Sequence, residues 1–453
     1  MKMMLSEIAE RVHGKQVGED IAITSACIDT RSIKPGQLYV AIKGHQFDGN
    51  NFVQQAQQAG AIAAVVHPGI TTALPHIIVD DTRVALAELA GAWRQNTAVS
   101  VIGVTGSNGK TTVKEMAAAI LGRQHHVLFT QGNLNNDIGV PLTLLRLNKQ
   151  HQYAVIEMGA NHPGEIAYNS RYVKADVVIL NNAGAAHIEG FGSLDGVAKA
   201  KGEIIETLKQ DGCAVLNRDD IYFDYWQAIA GNRKVLSFGL SEQADVSAKT
   251  IETVVCDNEF ITTFEIVTPQ DTQPCELKLA GRHNVINALA ATAACLALNI
   301  DLTQIIQGLA NVKPVTGRLQ PLIGRLGNII IDDSYNANAA SLKVGLAVLG
   351  ECKGQSWLVL GAFGELGHDS LKIHQEIGEL IKASGVIRLL AMGTDAQNTV
   401  HAFGDGATFF DHQDDLISAL KQELKGDETI LIKGSRSQRM ENVAAALVDN
   451  FRN

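Results

Sequence analysis

The chain has 453 residues, a formal net charge of −10, 46% hydrophobic residues and only 5% aromatic ones. That length buries large cores and divides into about three domains. The acidic balance, with no basic stripe to track a phosphate backbone, excludes a nucleic-acid binder but not a small anionic ligand, which needs only a local positive field.

Cys27, Cys213, Cys256, Cys275, Cys295 and Cys352 lie far apart without a CxxC pair, the scatter of reduced thiols in a cytosolic protein. Met1 to Glu7 turns acidic before an apolar h-region forms, and the longest apolar run, Ala59 to Val66, is too short to cross a bilayer. A cytoplasmic chain without a membrane span is expected.

Residues 1–82 read as a small α/β unit. Cys27 to Ile33 leads through a Lys34-Pro35-Gly36 turn into a strand over Gln37 to Ile42, then a polar glycine loop, Lys43 to Gly49. A helix around Asn51 to Gln58 and strands at Ala61 to Val66 and His76 to Val79 follow. Asp29, Arg31, Lys43 and Asp48 stand at strand ends, where ligand sites collect in α/β folds. Turn formation explains the same residues equally well.

From residue 83 to 312 the pattern becomes strand–helix alternation, the signature of a parallel sheet. A helix over Arg83 to Gln95 precedes the β-branched run from Val101, which breaks into Thr105-Gly106-Ser107-Asn108-Gly109-Lys110-Thr111-Thr112 and continues as a helix to Leu121. A strand feeding a glycine loop at a helix start is an anion cradle, with backbone N–H groups, the positive helix end and Lys110 aimed at one place. The general P-loop places a glycine where Val104 stands, so this is a tighter variant; a glycine turn before an ordinary helix is the alternative.

Further strands are expected at His126 to Thr130, Tyr153 to Gly159, Asp176 to Leu180 and Cys213 to Leu216, with a helix over Val197 to Ile205. Residues 244–279 alternate as a short antiparallel meander appended to the sheet. On the helix His283 to Leu298, Asn284 and Asn287 share a face and are poor helix formers, which points to a ligand contact or to capping. Lys313 to Arg318 marks a boundary, and residues 313–453 alternate again as a Rossmann-like unit.

Mg²⁺ takes hard oxygens beside phosphate. Glu157, at the end of an apolar strand, and Thr111 are placed for one ion, unless Glu157 is only a solvated loop acid. His187 closes the next strand as a candidate for a second ion or a structural histidine. Lys201 faces the same end, unless it is an ordinary surface lysine of its helix.

Several segments resemble the Mur ligase family of cell-wall enzymes. They are Thr105 to Thr112, Ile156 to Gly159, Asn182 to His187, Ala200 to Ile204, Gly281 to Asn284, Gly317 to Leu319 and Asp333 to Asn338. Asp29 to Arg31, Phe47 to Gly49, Asn133 to Pro141, Glu365 to Gly367 and Lys433 to Ser437 are similar to the branch that adds D-alanyl-D-alanine, and the likeness covers essentially the whole chain.

The resemblance implies α/β architecture in three domains, for a UDP-muramyl tripeptide, for ATP and for the incoming amino compound. It implies that Thr105 to Thr112 with Asn284, Asn287, Arg318 and Asp333 bind ATP. Thr111, Glu157 and His187 would hold Mg²⁺ with Lys201, matching a lysine carbamylated in many members. Asp29, Thr30, Arg31, Ser32, Lys43, Phe47, Asp48, Gly49, Asn135 and Asn136 would hold the UDP-sugar substrate. Asn336, Asn338, Glu365, Lys433, Ser435 and Arg436 would hold the amino substrate, and a monomer is expected. Two departures stand out: Ala339 replaces the usual Pro, and Gly361-Ala362-Phe363-Gly364 replaces a more usual Gly-Asp-Met. A sister ligase, a P-loop switch ATPase and a non-catalytic carbohydrate-binding module are the rival readings; the intact Lys110 and Glu157 argue against the last.

Overall fold

A computed structural model describes residues 1–44, 47–184, 188–256, 259–364, 366 and 369–449. The candidate site residues His187 and Glu365 lie outside them. Three sheet-based units follow one another along the chain, in keeping with the alternation of the sequence.

In the first unit, Ala26–Cys27, Leu38–Val40, Ala63–Val66 and His76–Ile78 form a parallel sheet, with Lys15–Val17 antiparallel at its edge. Leu38–Val40 and Ala63–Val66 are buried at every residue, as expected of strands covered on both faces. A two-residue pair, Met3–Met4 with Ala22–Ile23, and the helix Leu5–Arg11 complete it. Such pieces are too short to show periodicity and were not expected.

The central unit is a six-stranded, wholly parallel sheet in the order Lys234–Phe238, Cys213–Asn217, Val177–Leu180, Ser100–Thr105, Tyr153–Glu157, Val127–Phe129. The loop strand Ser100–Thr105 is therefore central, and the connections leave it in opposite directions. That switch point opens a crevice at the carboxyl ends of the strands. The helix Thr82–Gln95 joins the cores of the first and central units, and its Thr82 hydroxyl donates to the Ala41 carbonyl at 2.9 Å.

The meander is a sheet of its own: Ser247–Cys256, Glu259–Val267 and Thr272–Leu277 pair antiparallel with one another, and one bridge, Phe238 to Val246, joins them to the parallel sheet. Phe264, Ile266, Cys275 and Leu277 on its inner face share a core with the loop helix Lys110–Leu121.

In the third unit Ile329–Asp333, Glu428–Lys433, Gln355–Gly361, Arg388–Met392 and Ala407–Phe410 run parallel, with Gln320–Ile323 antiparallel at one edge. Gln320–Ile323 and Ala407–Phe410 are edge strands with no residue fully buried, so they lack the apolar run that marks their neighbours. No helix among the described residues is long and apolar enough to cross a membrane.

The loop helix is wedged between Arg282–Ala297 and Leu302–Leu309. Gly308 permits the closest approach, since a Cβ there would lie 2.4 Å from the Ile120 Cα. Gly308→Ala gains at most about 1 kcal/mol of helix propensity, whereas overpacking against backbone costs about 1–3 kcal/mol. A net loss of stability is expected in thermal unfolding; an unchanged or raised Tm would show that this contact is slack.

Candidate active site

The loop between Ser100–Thr105 and Lys110–Leu121 is held from several sides. Asn108 N–H donates to Asn182 Oδ1 at 2.8 Å, and the Asn108 carbonyl accepts from Asn181 Nδ2 at 2.9 Å and Asn182 Nδ2 at 3.1 Å. Ser107 Oγ meets the Gly184 carbonyl, and the Thr105 hydroxyl is buried on the Met158 carbonyl. Gly109 stands before the helix with φ 78°, a conformation glycine adopts without steric cost. Lys110 Nζ, at the first helical turn, folds back to the carbonyls of Gly106 at 2.7 Å and Ser107 at 3.2 Å. Burial lowers the Lys110 pKa; Glu157 opposes that shift and Arg318 adds to it.

This loop opens on a cavity of about 390 Å³. Glu157, only 2% exposed, lies on its wall with both carboxylate oxygens engaged: Thr111 Oγ1 donates at 3.1 Å and Asn135 Nδ2 at 2.8 Å. It is no solvated loop acid. Thr111 and Glu157 together offer the hard oxygen donors that Mg²⁺ takes beside phosphate, so the donor set fits that ion. Among the described residues, which do not include His187, no cluster of three His, Cys, Asp or Glu side chains could hold a metal. Asn135 and Asn136, expected to hold the UDP-sugar substrate, line this same cavity beside the loop helix.

Lys201 is not a surface lysine. On the helix Leu194–Glu206 it is 2% exposed, with Nζ 3.5 Å from the Ala160 carbonyl and 5.3 Å from the Phe191 ring centroid. Burial, and then the Lys110 charge, bring its pKa down to about 7 against the opposing pull of Glu165 and Glu203.

The third unit supplies the opposite wall, with Arg318, Tyr335, Asn336 and Asn338. Arg318 stacks on Tyr335 with its guanidinium carbon 4.2 Å from the ring centroid, and has no carboxylate at ion-pair distance among the described residues. Asn338 Nδ2 donates to Asn108 Oδ1 at 3.0 Å and so touches the loop directly. A second cavity of about 260 Å³ adjoins the first, sharing Asn108, Gly109, Thr112, Arg318 and Ser341. His283, Asn284, Ile286, Asn287 and Asp333 line it. Asn284 and Asn287 are buried and bonded to each other at 3.2 Å, and Asn287 Oδ1 accepts from Asn181 at 2.9 Å. Gly281, not an asparagine, caps the helix.

The other candidates make contacts within their own units. Lys433 is buried, its ammonium 2.5 Å from Asp333 Oδ2 and 3.1 Å from the Asn336 carbonyl, so it anchors the Asp333 to Asn338 turn. Ser435 Oγ donates to the Ala362 carbonyl at 2.7 Å, and Arg436 pairs with Glu441 at 3.0 Å while reaching the Tyr335 ring at 5.7 Å. In the first unit, Arg31 holds Asp29 bidentately and brings its pKa down to about 2. Thr30 and Ser32 share that turn, with the Ser32 hydroxyl donating to the Asp29 carbonyl at 3.2 Å. Asp48 caps the turn at Gly49–Phe52, the backbones of Lys43 and Asp48 pair antiparallel, and Phe47 is 73% exposed. This group follows the adjacent parallel strands Ala26–Cys27 and Leu38–Val40 and lines neither cavity.

Asn181, Asn182, Tyr335 and Ser341 belong to the site but were not among the expected residues. The signal for Asn181 and Asn182 was present: two amides end an apolar strand beside the loop strand. Nothing local marks Ser341, whose place depends on the third unit folding against the loop.

Three family models match the chain: Mur ligase family, catalytic domain, over residues 22–94; Mur ligase middle domain over 104–295; and Mur ligase, glutamate ligase domain, over 317–436. The UDP-N-acetylmuramoyl-tripeptide–D-alanyl-D-alanine ligase of Escherichia coli (strain K12) is 44% identical over 453 residues, 99% of each chain. The enzyme of that name from Bacillus subtilis (strain 168) is 34% identical over 465 residues, again 99% of each. Among solved structures, MurF from Acinetobacter baumannii superposes with a TM-score of 0.92 at 35% identity over 98% of both chains. The MurF ligase from Thermotoga maritima in complex with ADP gives 0.83 at 29% identity, over 93% of this chain and 96% of that one. By its sequence and its three-domain architecture, the chain belongs to the Mur ligase family.

Proposed function

We propose that the chain is an ATP-dependent, ADP-forming ligase that joins D-alanyl-D-alanine to UDP-N-acetylmuramoyl-tripeptide in the synthesis of a peptidoglycan precursor. The observation that carries this reading is the composite cavity, where Lys110, Thr111 and Glu157 of the central unit face Arg318, Asn336 and Asn338 of the third. A nucleotide-driven joining reaction needs such a place, with phosphates bound on one wall and a second substrate delivered from the other.

A carboxylate does not react with an amine in water, so its oxygen must first be made into a leaving group. The peptide carboxylate attacks the γ-phosphorus of ATP and ADP departs, leaving an acyl phosphate. The amine of D-alanyl-D-alanine then attacks that carbonyl, and the tetrahedral intermediate expels phosphate to give the amide. Phosphoryl transfer depends on positioning and charge cancellation rather than covalent help from the protein. Lys110 and Arg318 supply that charge, and the second cavity, with His283, Asn284 and Asn287, takes the nucleoside. Thr111 and Glu157 would hold Mg²⁺, which supplies further charge neutralisation on the phosphates. The contact of Asn338 with Asn108 keeps the third unit against the loop, where water is excluded from the acyl phosphate. Asp29 to Ser32, with Lys43 and Phe47 to Gly49, would hold the UDP end of the peptide substrate.

The test is phosphate release across a panel of UDP-muramyl peptides with and without D-alanyl-D-alanine. Release dependent on both substrates is expected, whereas a P-loop switch would hydrolyse ATP slowly without either.

Lys110→Ala should keep the fold by circular dichroism and lose a factor of about a hundred or more in ligation rate. Near-normal turnover by the folded variant would rule out the loop as the phosphate site. Glu157→Gln keeps the shape but removes the charge, so activity should fall sharply and half-saturation should need more Mg²⁺. An unchanged Mg²⁺ dependence would show that Glu157 does not face the ion.

Lys201 as an ammonium would repel the metal and Lys110 alike. As a neutral amine it adds CO₂, giving a carbamate and releasing one proton, and thereby becomes an oxygen donor of the kind Mg²⁺ prefers. Lys201→Ala should therefore lose activity, and an added short carboxylate should restore part of it. A bare lysine in a ¹³CO₂-equilibrated NMR sample of active enzyme would sink the carbamate.

A further inference from the structure

Lys114 lies one helical turn beyond Lys110 and is 1% exposed. Its Nζ donates to the Thr130 carbonyl at 2.8 Å, meets Glu115 Oε1 at 2.9 Å and stands 5.8 Å from the Phe129 ring centroid. Burying an ammonium costs several kcal/mol before its partners compensate. A methionine of similar length would fill the same space without that cost, so packing alone does not account for a lysine.

The residue it grips is informative. Thr130 is fully buried, ends the strand Val127–Phe129, and donates its N–H to the Val155 carbonyl at 3.1 Å. Its hydroxyl accepts the N–H of Glu157 at 2.9 Å. The chain then turns into the loop bearing Asn135, whose amide holds Glu157 Oε1 and whose carbonyl accepts from Gly159 at 2.9 Å. Glu157 is thus tied twice to one helix, directly by Thr111 and indirectly through Lys114 and Thr130.

We propose that Lys114 is a positioning residue for Glu157: by fixing Thr130 it sets the strand end and the Asn135 loop, so that the carboxylate faces the metal–nucleotide in register with Thr111. This rests on the reading that Glu157 holds Mg²⁺. Groups that orient a metal ligand from behind contribute about 10–100-fold to metal affinity, and the effect should appear in binding without turnover.

The test is calorimetric titration of the full chain with ADP alone and with ADP plus Mg²⁺. Lys114→Met should weaken the Mg²⁺-dependent gain in ADP affinity about tenfold while leaving binding of ADP alone within about twofold. Lys114→Arg should recover most of that loss, and Thr130→Val, which keeps the volume but removes the acceptor for Glu157, should reproduce it. A folded Lys114→Met protein with the full gain overturns the proposal, as does an equal loss with and without Mg²⁺, which would mean packing only. If Lys114→Met does not fold, Thr130→Val decides by the same criterion. Should Glu157→Gln itself retain the whole gain, the metal reading of Glu157 falls and takes the proposal with it.

Discussion

The site depends on one steric constraint, the absence of a side chain at Gly109. A Cβ there would lie 2.4 Å from Asn287 Oδ1 and 2.5 Å from Asn181 Nδ2, two atoms that are themselves bonded at 2.9 Å. The loop therefore presses against the end of the strand Val177–Leu180 and the helix Arg282–Ala297 at once. From that fixed point the helix carrying Lys110 and Thr111 begins, and Asn108 is presented both to Asn182 and, across the cleft, to Asn338. A shift of the loop would move the phosphate cradle and the seat of the third unit together.

The chemistry of the walls follows from what is cheap to bury. Asn133, Asn135, Asn136, Asn161, Asn336 and Asn338 all line the larger cavity. Amides satisfy backbone groups and one another without the desolvation cost of an ion, and they add no net charge to compete with phosphate. Full charges are few and of both signs, Lys110 and Arg318 against Glu157 and Glu165. Lys110 is disfavoured by burial and by Arg318, and Lys201 by burial and by Lys110. Within the protein that mutual repulsion is relieved mainly by Glu157, Glu165 and Glu203. A polyphosphate would relieve it far more, so the ground state is arranged to favour that ligand.

Much of this was legible in the sequence, because two signals are local. Apolar strands alternating with helices give the central and third sheets, and Gly106 to Thr112 gives the cradle at its position on the central strand. Glu157 was legible too, as an acid ending an unbroken apolar run. What was not legible depends on long-range contact. Asn135 and Asn136 were expected to hold the UDP-sugar substrate; that they line the cavity at the phosphate loop is not local, because Asn135 reaches back to Glu157, 22 positions on. Lys433 looked available for a substrate but is buried on Asp333, 100 positions away, and no local pattern marks that pairing. Lys201 was ambiguous, because a helix with lysines at positions 199 and 201 does not declare which one faces inward until the sheet beneath it is placed.

The two departures from the family pattern can be weighed in the same terms. Ala339 occupies the first position of the helix Ala339–Glu351, where proline is favoured because its φ is already helical and its missing N–H leaves nothing unpaired. Alanine gives up that preorganisation, but Asn338 and Ser341 form a reciprocal capping box at 2.8 and 3.0 Å that fixes the same helix start. Because Asn338 spends its Oδ1 on the cap, its Nδ2 is left aimed at Asn108, so the device that stabilises the helix also orients the contact with the loop. In the other departure, Gly361 sits where a Cβ would lie 2.8 Å from Gln438 Cβ, and Phe363 N–H donates to buried His374 Nε2 at 3.2 Å. That segment is pinned by its own neighbours, with Ala362 accepting from Ser435. A changed sequence there comes with contacts of its own, and the turn it forms stays attached to the strand end that carries Lys433.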